Sequence, residues 1–301
     1  MNDVNFLIAN KVDVKHGLEL LGDMETYNSI INDFYDAYSD RMQKINSYKN
    51  SVDMANYAIE VHSLKSDSKY LGFMDLADIA YKHEMASKAN DIATVNNSYN
   101  DLLNEASRII RVVGEYLGKA TMSKNPVVTP IPEVNPQTST PAVEVQFNNP
   151  SVEVPVQENI EVISPEVVSS TVVSNSKKAI LVADDSSIIR NFVNEIFSND
   201  YNVLMAGDGK EVINIVSSND NIVALLLDLN MPGVSGFDVL EYFKENDLFK
   251  KIPVSIISGA SDKESIDNAF KYPIVDMLNK PFARENVKLV VEKTIEYGNM
   301  W

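Results

Sequence analysis

Two rhythms divide the chain. From Lys11 to Gly118, apolar residues recur at steps of three and four, as in Ile31, Phe34, Tyr35 and Tyr38, then Met42 and Ile45. That spacing lines one face of an α-helix. Five such segments follow one another: "KVDVKHGLELL", "METYNSIINDFYDAYSDRMQKIN", "DMANYAIEVHSLKSDSKYLG", "MDLADIAYKHEMASKAND" and "TVNNSYNDLLNEASRIIRVVGEYLG". Asn, Ser and Asp mark the breaks, and Gly72 is placed as a helix C-cap. Short connections between such helices predict an antiparallel all-α bundle. From Lys178 onward the rhythm changes. The runs "KAILVAD", "NVLMA", "IVALLLD", "PVSIIS" and "IVDMLNK" alternate with amphipathic stretches around 188–197, 210–216, 237–245, 263–270 and 284–297. Apolar strands separated by helices predict an α/β, doubly wound, five-stranded parallel sheet.

The stretch between these regions has neither rhythm. Over 122–177 prolines recur, glycine is absent, and Val, Glu, Ser, Thr and Asn follow one another without period. Prolines break helices, and the scattered apolar residues bury too little area to offset ordering entropy. The expected organisation is therefore 1–121 helical bundle, 122–177 disordered linker, and 178–301 α/β domain. As a flexible coil the linker would span roughly 40 Å end to end.

Composition narrows the functional classes. The net charge is −17 with no basic stripe, which argues against duplex nucleic acid and against an anionic membrane surface. Protein partners remain. No apolar run approaches the ~20 residues that cross a bilayer, and the first residues lack the pattern of a signal peptide, so a cytoplasmic location is expected. The absence of cysteine excludes disulfides and thiolate metal sites.

The chemistry concentrates at the predicted carboxyl ends of the strands, where such sheets place their working groups. The first strand ends at Asp184 and Asp185, the third at Asp228, the fourth at Ser258, and the fifth at Lys280 before Pro281. Three carboxylates in one pocket repel one another unless a cation joins them, and an oxygen-only site suits Mg²⁺. With Lys280 and Ser258 beside it, Asp228 becomes a nucleophile facing a cradle for a phosphoryl group. Each residue taken alone reads more readily as a helix cap or a solvated loop acid. The conjunction on one sheet edge carries the reading.

The motifs "VADDS", "LLLDLNMPGVSGFDVL", "VSIISG" and "NKPF" together make residues 178–297 resemble a response-regulator receiver domain of flavodoxin-like fold. The resemblance implies that Asp228 accepts phosphate, that Asp184, Asp185 and Asp228 hold Mg²⁺ with the backbone carbonyl of Asn230, and that Ser258 is the switch hydroxyl. It also implies that Lys280 pairs with the phosphoryl oxygens, that Lys280–Pro281 is cis, and that Gly259 and Ala260 keep the pocket open. Met277 stands where the family usually has an aromatic residue, a departure that bears on the aromatic relay to the outer face.

In the third helical segment, Tyr57, Val61, Leu64, Ser68 and Leu71 form a bundle-facing stripe, while Ala58, His62, Lys65 and Lys69 form its neighbour and are expected to face solvent. Such a stripe is also what an ordinary solvated helix face looks like. A neutral imidazole there is nucleophilic, Lys65 can pair with phosphoryl oxygens, and Ser66 is small enough for a partner to approach. The pattern "HSLKSDSKYLG" resembles the histidine phosphotransfer (HPt) signature, and residues 10–118 resemble that helical domain, which implies that His62 carries phosphate. The family prefers glycine at the position of Ser66. His83, in "KHEMASK", lacks the second histidine of a helical zinc motif and is expected at the surface, and His16 has no partner in sequence.

Together these readings predict a two-component phosphorelay protein in which His62 and Asp228 accept and pass on phosphoryl groups, supplied by a sensor histidine kinase or by other response regulators. No ATP-binding kinase module is expected. Two other readings stand beside it: a phosphorylation-gated interaction module in which His62 is dispensable, and a phosphate sink that discharges at Asp228. Oligomeric state is left open.

Overall fold

Aspartates open most of the N-terminal helices. In the computed structural model, which describes residues 3–119, 177–259 and 263–300, six helices come first. They are α1 (Val4–Ala9), α2 (Val14–Leu21), α3 (Met24–Asn50), α4 (Met54–Tyr70), α5 (Met74–Lys88) and α6 (Ile92–Tyr116). The carboxylates of Asp3, Asp13, Asp23, Asp53 and Asp91 each accept a backbone N–H of the first turn, which satisfies a donor the helix leaves open. Gly72 closes α4 at φ +76°, and a β-carbon there would come within 2.2 Å of the Asp13 carbonyl, so only glycine lets the two backbones meet.

The second region alternates β1 (Ala179–Ala183), α7 (Ser187–Phe197), β2 (Asn202–Ala206), α8 (Gly209–Ser218), β3 (Ile222–Asp228), α9 (Gly236–Glu245), β4 (Val254–Gly259), α10 (Lys263–Ala269), β5 (Met277–Lys280) and α11 (Arg284–Gly298). All strand pairs are parallel in the order β2-β1-β3-β4-β5, the doubly wound arrangement expected. β5 is shorter than its apolar run suggests. Its leading residues contribute only isolated bonds to β4, from Val275 N–H to Val254 and from Ile256 N–H to Asp276.

Alternation along the strands sends side chains to two cores. Leu181, Leu225, Leu227 and Ile256 pack with Val212, Val239, Leu240 and Phe243 under α8 and α9. Ile180, Val182, Leu226 and Ile257 pack with Phe192, Val287 and Val291 under α7 and α11, and this second core runs on without a break into Tyr27, Ile30, Phe34 and Tyr70 of the bundle. Residues 1–122 and 176–301 accordingly form one compact unit. The expected linker falls almost wholly outside the described residues. No helix among the described residues is long and apolar enough to cross a membrane.

Candidate functional site

The sheet brings Asp184, Asp185, Asp228 and Lys280 to one edge. Parallel pairing sets the ends of β1 and β3 side by side, and the pair Gly259–Lys280 sets the lysine across from the end of β4. Gly236 holds the loop after Asp228 in place: its N–H donates to Leu229, and a β-carbon there would lie 2.2 Å from the Asp228 carbonyl. The three acids offer carboxylate oxygens within 4.8 Å of one another. Asp228 is 1% exposed, its Oδ2 accepts Lys280 Nζ at 2.6 Å, and its Oδ1 accepts the Asn230 N–H at 3.1 Å. The same ammonium reaches Asp184 Oδ2 at 2.8 Å.

Electrostatics leave this pocket short of positive charge. Burial, with the charges of Asp228 and Asp185, pushes the Asp184 carboxyl up to about 8 against the pull of Lys280. Burial also favours the neutral form of Lys280, but Asp184, Asp228 and Asp185 outweigh it and push that ammonium well up. Among the described residues, Asp185 Oδ1 is buried with no hydrogen-bond partner, while Asp184 Oδ2 is paired with the Lys280 ammonium. The unpartnered Asp185 oxygen and an oxygen-only donor set fit a hard cation such as Mg²⁺. Ser258 is fully buried at the end of β4, where its hydroxyl reaches the Gly259 carbonyl at 3.4 Å and has no described contact with Asp228. The Lys280–Pro281 bond is cis. Met277 is half-buried, and Ala260 lies outside the described residues.

His62 corrects the expectation of a solvent-facing stripe. It is 7% exposed and Lys65 is equally buried, because α4 is covered on both sides and every residue from Val61 to Ser68 is buried. A neighbour that the periodicity did not reveal explains the local chemistry. Glu84 of α5, fully buried, accepts from His62 Nδ1 at 2.7 Å, Lys65 Nζ at 2.5 Å and Lys88 Nζ at 2.8 Å. Burial alone would raise its carboxyl, and these hydrogen bonds override that and hold it well below the usual range. An ionised carboxylate only accepts, so the proton of the neutral imidazole sits on Nδ1 and leaves the Nε2 lone pair free. Burial pulls the Lys65 ammonium down despite Glu84.

The Cε1–Nε2 edge of His62 lies against Gly259 at the end of β4. A β-carbon at Gly259 would lie 3.4 Å from Cε1 and 3.9 Å from Nε2 of His62. A cavity of about 270 Å³ is lined by His62, Lys65, Ser66, Lys69, Gly259 and Lys280, among others. Ser66 Oγ is buried there without a hydrogen-bond partner among the described residues. The imidazole thus shares its cavity with the lysine that clamps Asp228.

His83 also departs from expectation. It is 1% exposed, with Nδ1 at 2.8 Å from the Tyr57 hydroxyl, and is a core residue rather than a surface one. Its bundle-facing partner Tyr57 and the helix α6 were legible, but the packing of α6 over His83 was not. The buried Asp67 and the partly buried Arg41, 3.1 Å apart, had no signal in the helical pattern.

Comparison with known proteins agrees with the sheet region. Residues 180–292 match the family model of the response regulator receiver domain, and this part of the chain is such a domain. The two-component response regulator ORR3 of Oryza sativa subsp. indica is 27% identical over 128 residues, 42% of this chain and 98% of that protein. The 3',5'-cyclic-nucleotide phosphodiesterase regA of Dictyostelium discoideum is 31% identical over 126 residues, 41% of this chain but only 16% of its own length. A response regulator receiver domain protein from Clostridium thermocellum matches in structure with a TM-score of 0.38 and 26% identity, covering 41% of this chain and 98% of that one.

Proposed function

We propose that the protein is a phosphorelay component of a two-component system, with Asp228 as phosphoryl acceptor and His62 of an HPt-like bundle as a second carrier. The observation that carries the reading is the shared cavity: His62 and Lys280 line it together, and the Lys280 ammonium is bonded to Asp228. An Asp228 carboxylate oxygen attacks the phosphorus of an incoming phosphohistidine, forming an acyl phosphate while the nitrogen–phosphorus bond breaks toward the donor imidazole. Lys280 pairs with the anionic oxygens, and the fully buried Ser258 stands at the adjoining strand end. Mg²⁺ would be held by Asp184, Asp185, Asp228 and the Asn230 carbonyl, and would neutralise phosphoryl charge. On His62, Glu84 fixes the tautomer and Lys65 supplies nearby positive charge.

The phosphate source is a sensor histidine kinase or another response regulator, within the cytoplasm. Phosphotransfer from candidate kinases to wild type, His62→Gln and Asp228→Asn tests the reading. Label is expected on both side chains of the wild type. Unchanged onward transfer in His62→Gln would favour a phosphorylation-gated interaction module instead. Rapid loss of label as free phosphate from Asp228, with no onward transfer, would favour a sink.

A further inference from the structure

Several contacts between the bundle and the receiver lie at the acidic pocket, while others join α3 to α7 and to Arg284 of α11. From α4, Ser63 Oγ donates to Asp185 Oδ2, one of the three acids. One turn on, Asp67 accepts Ser186 Oγ of the β1–α7 loop at 2.5 Å and holds Arg41 of α3 at 3.1 Å. At the end of α4, the Tyr70 hydroxyl accepts the Phe282 N–H at 3.0 Å, two residues past Lys280, and its ring packs on Phe192 and Phe282. From α3, Asp33 accepts Asn191 Nδ2 of α7 at 2.7 Å. Asp67, Ser186, Tyr70 and Phe282 are each nearly inaccessible to solvent, so these polar groups were taken out of water and given partners. Such matching marks a built interface. It seats the Nε2 edge of His62 over Gly259, at the mouth of the receiver's own pocket.

We propose that the two halves of one chain are each other's transfer partners, so that a phosphoryl group moves between His62 Nε2 and Asp228 in cis. The proposal rests on the reading of both side chains as phosphoryl carriers. In the step from aspartate to histidine, the Nε2 lone pair attacks phosphorus and the nitrogen–phosphorus bond forms. The acyl oxygen–phosphorus bond breaks, and its electron pair returns to the Asp228 carboxylate beside Lys280. The proton on Nδ1 stays with its hydrogen bond to Glu84, and no other proton moves. In the reverse step the carboxylate attacks and the imidazole leaves.

The full-length chain tests this directly. Acetyl phosphate with Mg²⁺ loads Asp228, the donor is removed, and phosphate on each residue is followed by peptide mass spectrometry. In the wild type, phosphohistidine at position 62 is expected to appear at a rate independent of protein concentration between about 1 and 100 μM. A mixture of His62→Gln and Asp228→Asn chains carries both groups on separate molecules. At about 1 μM it is expected to transfer at least about 100-fold more slowly, since tethered groups meet at an effective concentration near millimolar. Asn191→Asp sets a second carboxylate against Asp33, and is expected to slow transfer about tenfold or more while Asp228 still loads. The exchanged pair Asp33→Asn with Asn191→Asp is expected to recover it. Transfer in the mixture as fast as in the wild type, or a wild-type rate that rises with concentration, overturns the proposal alone. No label on His62 in any sample overturns the reading of His62 as a carrier along with it.

Discussion

Replacing Glu84 with glutamine removes one charge from a largely buried ionic cluster of the bundle while keeping its shape. The wild-type carboxylate is fully buried and accepts from His62, Lys65 and Lys88, and only Lys88 of the three reaches solvent freely. The amide strands the Lys65 ammonium, 9% exposed, without its counter-charge. Breaking a buried pair in this way costs about 3–5 kcal/mol. Neutralising an ordinary lysine at pH 7.5 costs about 4 kcal/mol, which caps the Lys65 share of that loss at a similar figure. The expected result is a loss of about 3–5 kcal/mol in urea unfolding followed by far-ultraviolet circular dichroism. The pH dependence has a definite sign. The Glu84 carboxyl is held low in the fold, so its contribution is complete above the ordinary glutamate pKa and is drawn down as pH falls toward the folded value. The gap between wild type and variant should therefore be full at neutral pH and narrow by about 1.4 kcal/mol per unit below about pH 4.5. A loss under about 1 kcal/mol, or a gap unchanged between about pH 5 and pH 3, would refute the assigned ionic role.

Further expectations follow from single contacts. Gly72→Ala, at positive φ against the Asp13 carbonyl, should destabilise the bundle by about 2 kcal/mol or more, read as a lower urea midpoint. Tyr70→Phe strands the buried Phe282 N–H and should cost about 1–3 kcal/mol in the same assay. Asp53→Ala removes the α4 cap and should cost about 1 kcal/mol. Mg²⁺ at about 100 times its dissociation constant should stabilise the wild type by about 2.7 kcal/mol in thermal unfolding, and Asp185→Asn should sharply reduce that gain.

Much of this architecture was legible because its periods are pure. The strands β1 and β3 are apolar runs buried almost throughout, Asp184 and Asp185 follow β1, Asp228 ends β3 and Lys280 ends β5, so counting residues to the strand ends located the pocket. The helices α2 to α6 were equally plain in their apolar stripes, whereas α1, six residues long, is too short to show one. What periodicity could not supply was the second covering of α4. A helix packed on two sides has no solvated face, so the polar stripe of His62 and Lys65 looked exposed when it was buried. Glu84 stood directly after His83, four residues before Lys88, and that acid–base spacing was the available signal. Asp67 and Arg41 meet across two helices, and Ser63 and Asp185 across 122 residues, which no local pattern encodes.

The most direct test reads position 228 itself. Borohydride reduces an acyl phosphate, but not a free carboxylate, to the corresponding alcohol, so a phosphorylated aspartate is recovered as homoserine in peptide mass spectra. After treatment with acetyl phosphate and Mg²⁺, homoserine is expected at position 228, and neither in untreated protein nor in Asp228→Asn. Homoserine at a different aspartate, or at none, would contradict the account.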